Sequence, residues 1–287
     1  MQQPTARRSA TAVVTDSTAH LSQQEVADLG ISVVPLEVVI SGQTGLDGID
    51  VDADQVAAAL SAWEPVTTSR PAPARFLAAY EKAKESGASE VVSVHLSGEL
   101  SGTVDAARIA AREASIPVTV VDSRQIALGL GFAVLDAARS AQDGEAADAV
   151  AAVAQRASES ASTLFYVDTL EYLRRGGRIG AASAFLGGVL AVKPLLEVSA
   201  GRIEPLEKVR TAARALGRLQ DLAVGRAGSG PVRLGIHHLA APERAQQVHD
   251  ALQARLPEAS PTLVRELGAV IGAHVGPGVV AVVVSPA

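Results

Sequence analysis

Short valine-rich apolar runs alternate along the chain with longer stretches rich in alanine. Ala12–Thr15, Ser32–Ile40, Val91–Leu96, Val118–Val121, Leu164–Val167, Leu195–Val198, Val232–Ile236, Thr262–Glu266 and Val279–Val284 are expected to be strands. Most are continuously apolar rather than alternating, as in strands covered on both faces. Between them, Val56, Leu60 and Trp63 fall at i, i+4 and i+7, and Phe76, Leu77 and Tyr80 at i, i+1 and i+4. Each set suits one buried face of a helix. Strands separated by helices predict an α/β fold with largely parallel or mixed sheets. A length of 287 residues suggests about two domains. The polar, Ala/Ser-rich stretch Gln155–Ser162 is the expected boundary, giving domains over 1–160 and 161–287, with residues 1–10 a loose tail.

Composition narrows this picture. The 48% hydrophobic content comes mostly from Ala, Val and Leu, and aromatics are 3%, so the interior should be aliphatic. The absence of cysteine excludes a disulfide framework, a thiolate zinc site and a cysteine nucleophile. A net charge of −6 disfavours a partner held by phosphate neutralisation, so no nucleic acid is expected. No apolar stretch of about 7–15 residues follows Arg7 and Arg8, as a secretory signal requires. No run approaches the roughly 20 residues of a membrane span. A cytoplasmic location is therefore expected.

Several enzyme signatures are missing. None of Lys82, Lys84, Lys193 and Lys208 follows a glycine, so there is no Walker A loop. Gly129-Leu130-Gly131 begins a dinucleotide pattern, but Val134 stands where the third glycine belongs. His237 and His238 are adjacent on an expected strand and would point to opposite faces, a poor chelating pair; no metal site is expected.

Other segments carry more. Asp16-Ser17, Asp122-Ser123 and Asp168-Thr169 each stand at the carboxyl end of an apolar run. Such residues cap following helices, and the same loops are where α/β folds bind ligands. The loop Leu96-Ser97-Gly98-Glu99-Leu100-Ser101-Gly102-Thr103 precedes a helical stretch; it suits a carboxylate or phosphate, or equally a helix cap by Ser101 or Thr103. Val66-Thr67-Thr68-Ser69-Arg70-Pro71 gathers three hydroxyls before a proline that holds Arg70 extended. Gly272-Ala273-His274-Val275-Gly276-Pro277-Gly278 sets one histidine in a glycine-rich turn.

Taken together and in order, these segments resemble the DegV family, the fatty-acid-binding proteins that serve bacterial fatty acid kinases. The resemblance runs from Val13 to Val284. It includes Thr15-Asp16-Ser17-Thr18-Ala19, Val34-Pro35-Leu36, Thr68-Ser69-Arg70-Pro71, Leu96–Thr103 and Val121-Asp122-Ser123. It continues through Val167-Asp168-Thr169-Leu170-Glu171-Tyr172-Leu173-Arg174-Arg175-Gly176-Gly177-Arg178-Ile179, Lys193-Pro194-Leu195, Glu207-Lys208-Val209-Arg210 and His274–Gly278. The resemblance implies two α/β domains enclosing a long-chain fatty acid, with no cofactor and no catalysis by the chain itself. It implies that Thr68, Ser97, Gly98 and His274 meet the carboxylate, and that Arg178, Ser69 and Ser101 face the head group or a partner. Gly98 stands where the family usually has a second serine, which leaves only its backbone N–H. Arg70 and Ala72 replace the commonest glutamine and serine. The implied partners are a separate fatty acid kinase and an acyl-phosphate acyltransferase.

One competing reading is a hydrolase or phosphatase with Ser101 or Asp16 as nucleophile and His274 as base. It requires nucleophile and base within hydrogen-bond reach.

Overall fold

The computed structural model describes residues 10–185 and 193–287; apart from Ala10, the expected tail lies outside the described residues. The first half of the chain forms β1 (Thr11–Asp16), α1 (Gln23–Leu29), β2 (Ser32–Val34), β3 (Glu37–Ile40), β4 (Gln43–Leu46), α2 (Ala53–Ser61), β5 (Val66–Ser69), α3 (Pro73–Glu85), β6 (Glu90–His95), α4 (Thr103–Glu113), β7 (Val118–Asp122), α5 (Leu128–Gln142) and α6 (Ala147–Ser160). The second half forms β8 (Ser162–Tyr166), α7 (Glu171–Arg175), β9 (Lys193–Ser199), β10 (Arg202–Val209), α8 (Ala212–Ala227), β11 (Val232–His238), α9 (Pro242–Arg255), β12 (Thr262–Glu266), α10 (Ala269–Val275) and β13 (Val280–Pro286).

Three sheets result. The first, in the order β2-β1-β6-β7, is parallel throughout. The second, in the order β10-β9-β8-β13-β11-β12, is antiparallel except for the β11–β12 pair. A small antiparallel sheet, β4-β3-β5, stands apart. The fold is α/β with two domains, and the second sheet is mixed.

The expected strand Ser32–Ile40 is two strands in two sheets. Pro35 has no N–H to continue the ladder, and the Leu36 N–H instead reaches the Ser17 hydroxyl at 3.2 Å. The chain then turns into β3. Trp63 departs from its expected place too. Val56 and Leu60 are buried, but α2 ends at Ser61, and Trp63 lies beyond it with φ +62°, 68% exposed, under the Arg175 guanidinium. Phe76 and Tyr80 are fully buried, as their spacing on α3 predicts.

Alternation along the strands of the second sheet serves two cores. Leu164, Tyr166, Ile236, Val280 and Val282 pack beneath α8 and α9. Phe165, Val167, Val198 and Ala281 face the other way, onto Ile271 and Val275 of α10. The first sheet is covered by α5 and α6 on one face and α3 and α4 on the other. The small sheet packs on α2 and on Ala269, Val270 and Ala273 of α10, so this one helix joins two cores.

Polar groups tie the halves together. Arg233 on β11 forks onto Asp136 of α5 with two 2.7 Å bonds, its guanidinium lying over Phe132. The rings of His20 and His237 meet with centroids 5.3 Å apart, and His237 Nε2 accepts the Leu128 N–H at 3.2 Å. Burial, aided by the Arg265 charge, pushes His20 down to about 4, and burial also drives His237 well below its ordinary value.

Two predictions follow from these seams. Arg233→Ala takes the fork from Asp136, which keeps Arg139 and partial contact with solvent, and is expected to cost about 2 kcal/mol, read as a lower urea midpoint. The buried histidines make the fold acid-sensitive. Between pH about 6.5 and about 4 the unfolded chain takes up protons at His20 that the folded protein refuses, so stability falls as pH falls, by roughly 3 kcal/mol from this ring. Thermal midpoints measured across that window should decline. They should decline less in His20→Asn, a residue that tolerates the left-handed backbone of this position.

Candidate functional site

β5 and α10 supply the centre of the site. In β5, Thr68 pairs with Val38 of β3, and successive side chains point to opposite faces, so Thr68 turns inward and Ser69 outward. In α10, His274 stands one turn after Val270, which anchors the helix on the small sheet. The two side chains meet: Thr68 Oγ1 and His274 Nε2 are 2.7 Å apart.

Burial lowers the His274 pKa to about 4, with the Arg178 charge acting the same way. The imidazole is therefore neutral near pH 7, with one N–H to place. When Nε2 carries it, the ring donates to Thr68, and the Thr68 O–H is free to donate to an acceptor. Nδ1 is buried without a hydrogen-bond partner because it rests against Gly176. Gly176 has an ordinary helical backbone, so the imidazole, not the φ angle, requires a glycine there.

Arg178 is held beside this pair by two backbone carbonyls, donating from Nη1 to Gly176 O at 2.7 Å and from Nε to Leu100 O at 3.3 Å. Thr68, His274, Arg178 and Ser101 form the polar end of a narrow cavity of about 50 Å³. Its other walls are aliphatic, among them Leu173, Val270 and Ile271. A second narrow cavity, also of about 50 Å³, shares Leu100, Ile126, Ile203, Ile271 and Val275 with the first and continues to Thr163, Phe165 and Ala281. The polar end thus adjoins a largely apolar cavity across shared walls.

The remaining expected site residues are placed differently. The Ser97 hydroxyl is buried and donates to Gly201 O at 2.7 Å, tying the loop after β6 to the β9–β10 turn. The Gly98 N–H donates to Asp122 Oδ1 at 3.1 Å. Neither residue lines the cavity. Ser69 is exposed, its hydroxyl turned to Arg70 O. Arg70 lies over Gly102, where a Cβ would collide with it. Ser101 and Thr103 bond to each other at 2.8 Å and neither caps α4, whose N-cap is Gly102.

The hydrolase reading finds no nucleophile–base contact. The Ser101 hydroxyl is paired with Thr103 and His274 Nε2 with Thr68. Asp16 lies in the first sheet, its carboxylate accepting from Thr18, His95 and the Leu96 N–H, and it borders a separate, open cleft. Among the described residues, no group of three His, Asp or Glu side chains is placed to hold a metal ion, and no helix is long and apolar enough to cross a membrane.

Comparison with known proteins agrees with this architecture. The family model described as "Uncharacterised protein, DegV family" matches residues 10–287. The chain belongs to the DegV family. A DegV domain-containing protein of Streptomyces coelicolor is 53% identical over 96% of this chain and 98% of its own length. A DegV-family protein of Thermus thermophilus, described by its fatty acid binding, superposes with a TM-score of 0.92 at 35% identity, covering 97% of this chain and all of the other. DegV of Bacillus subtilis, described as a fatty acid binding protein, superposes with a TM-score of 0.89 at 32% identity, over 97% of this chain and all of its own.

Two features of this DegV-family site were beyond sequence reasoning. The cavity walls Ile126, Ile203 and Leu173 carry no signal beyond being apolar. Gly176 is visible in the Gly-Gly-Arg segment, but only the fold shows what needs it. Gly176→Ala is expected to push the His274 ring off Thr68 towards solvent, raising its pKa from about 4 towards the ordinary 6.5. An NMR titration of the ring protons reads this directly.

Proposed function

We propose that this protein is a fatty-acid carrier: it holds a long-chain fatty acid in the interior cavity, with the carboxylate at Thr68 and His274. The observation that carries the reading is the cluster of polar groups at one end of a cavity whose other described walls are largely apolar. The fatty-acid binding described for the Thermus thermophilus and Bacillus subtilis relatives supports it.

The energetics suit a carrier. Removing about 16 carbons from water at about 0.8 kcal/mol per methylene gives roughly 12 kcal/mol before ordering and association costs. The walls that do this are Leu, Ile and Val. At the head, the Thr68 hydroxyl donates to the carboxylate, the neutral imidazole aims that hydroxyl by donating to its oxygen, and Arg178, already committed to two carbonyls, adds positive potential without a dedicated ion pair. Such a grip leaves a carboxylate oxygen open to reaction.

The chain has no nucleotide-binding loop of its own, so phosphorylation falls to a separate fatty acid kinase. In this reading the protein presents the carboxylate to that kinase in the cytoplasm and carries the acyl-phosphate on to an acyltransferase for phospholipid synthesis. Ser69, Arg70, Arg174 and Arg175 lie exposed around the polar end and form the surface offered to the partner. Ser97 and Gly98 act one step back, through the loop that Ser97 pins to Gly201.

Native mass spectrometry of the purified protein, with lipid extraction, tests this. A co-purifying mass matching a long-chain fatty acid is expected; a delipidated protein that takes up no fatty acid overturns the reading. Thr68→Ala with His274→Ala should weaken retention by about ten- to hundredfold, the worth of one hydrogen bond to a charged group, with the circular dichroism spectrum unchanged.

A further inference from the structure

The far end of the cavity holds information that the polar end does not. Past the shared walls, the space runs along the inner face of β8 and β13, where Phe165 and Ala281 are directly opposed in the antiparallel ladder. Thr163, two residues before Phe165, lies on the same face. Among the described residues it is the one polar side chain in this part of the wall, and its O–H is already committed, donating to Gln125 Oε1 at 2.9 Å. Both donors of Gln125 are in turn used, its amide donating to Ala161 O at 3.0 Å and Ser158 O at 3.3 Å. A carboxylate arriving here would find neither of these side chains with a free donor, so this end suits the hydrocarbon terminus.

The end is also backed by rigid structure. Behind Thr163 lies the first turn of α5, where a Cβ on Gly129 would collide with both Thr163 Oγ1 and Gln125 Oε1. The Phe165 ring is 5% exposed, and its neighbour across the ladder is alanine. A large and a small side chain opposed on one floor divide the available depth between them. Substituting either changes where the floor lies.

Resting on the fatty-acid reading above, we infer that the Phe165–Ala281 pair, backed by Thr163, is a chain-length stop: the methyl end of the acyl chain meets it, and the protein selects among fatty acids by length at this point. Affinity then rises by about fourfold for each added methylene while the chain still has cavity to fill. It falls once a further methylene has to displace the floor, because a close-packed wall yields only at the cost of strain.

The test is a competition series on the delipidated full-length protein, with unbranched saturated fatty acids of about 12 to 20 carbons, each step worth about fourfold before the stop. The wild-type profile is expected to rise to one best length and then fall. Ala281→Leu adds three side-chain carbons and should move the best length down by about three carbons, since the added volume has to come out of the chain. Phe165→Ala should move it up; if that variant does not fold by circular dichroism, Phe165→Leu replaces it and should move it up by less. His274→Ala should lower the whole profile without moving its maximum, which separates grip from length. A profile with no maximum, or maxima unmoved in the floor variants, overturns the stop while leaving fatty-acid binding intact. A wild-type protein that binds none of the series overturns the carrier reading itself.

Discussion

The burial of α10 on two opposite faces is the constraint from which the rest of the molecule can be reasoned. Seven residues long, the helix is far too short to persist on its own. It exists because Val270 and Ala273 fill the small sheet's core, while Ile271 and Val275 fill the core on the inner face of the second sheet. Once both stripes are committed, the rotation of the helix about its axis is fixed. His274 can then only emerge where β5 presents Thr68. The 2.7 Å contact between the two is a consequence of apolar packing on either side, which pre-positions a polar pair no local sequence rule would bring together.

The same packing explains why the interior is not filled. Helix and sheet are held apart by side chains belonging to different cores, and the space between is lined by branched aliphatics that have already found partners behind them. Empty apolar volume in a close-packed protein forfeits contacts that an apolar ligand would restore. Neutrality at the polar end belongs to this logic. A protonated His274 would need a counter-charge in the same buried space, and Arg178 beside it holds the proton off instead.

Much of the architecture was legible in the chain and some was not, for reasons that particular residues show. Continuous apolar runs announced β1, β6, β8, β11 and β13, but could not reveal that β13 pairs antiparallel on both sides. A central strand covered on both faces has the same composition whichever way its neighbours run. Pro35 was visible, yet the division of one run into two sheets depends on where Leu36 finds its acceptor. Thr68 and His274 were legible through their resemblance to a family, 206 positions apart in sequence. Ser97 came from the same resemblance, and its hydroxyl is in fact bound to Gly201. A sequence displays the hydroxyl and not its partner.

Glycines show how motif and packing become one thing. Gly176 is required by the His274 imidazole. Gly276, at φ +75°, has the Tyr172 ring where its Cβ would be, and Gly278, at φ +86°, has the Asp168 carboxylate. Asp168 is itself held by Tyr166, Lys193 and Arg244, and Arg244 also donates to Gly278 O. Residues 166–178 and 274–278, read along the chain as two separate signatures, are therefore one interlocked unit, each supplying the glycine that the other's side chain needs. The histidine owes its position to that interlock as much as the interlock owes its glycines to the histidine. A substitution in either segment should then be felt at the polar end of the cavity even where the altered residue touches no ligand.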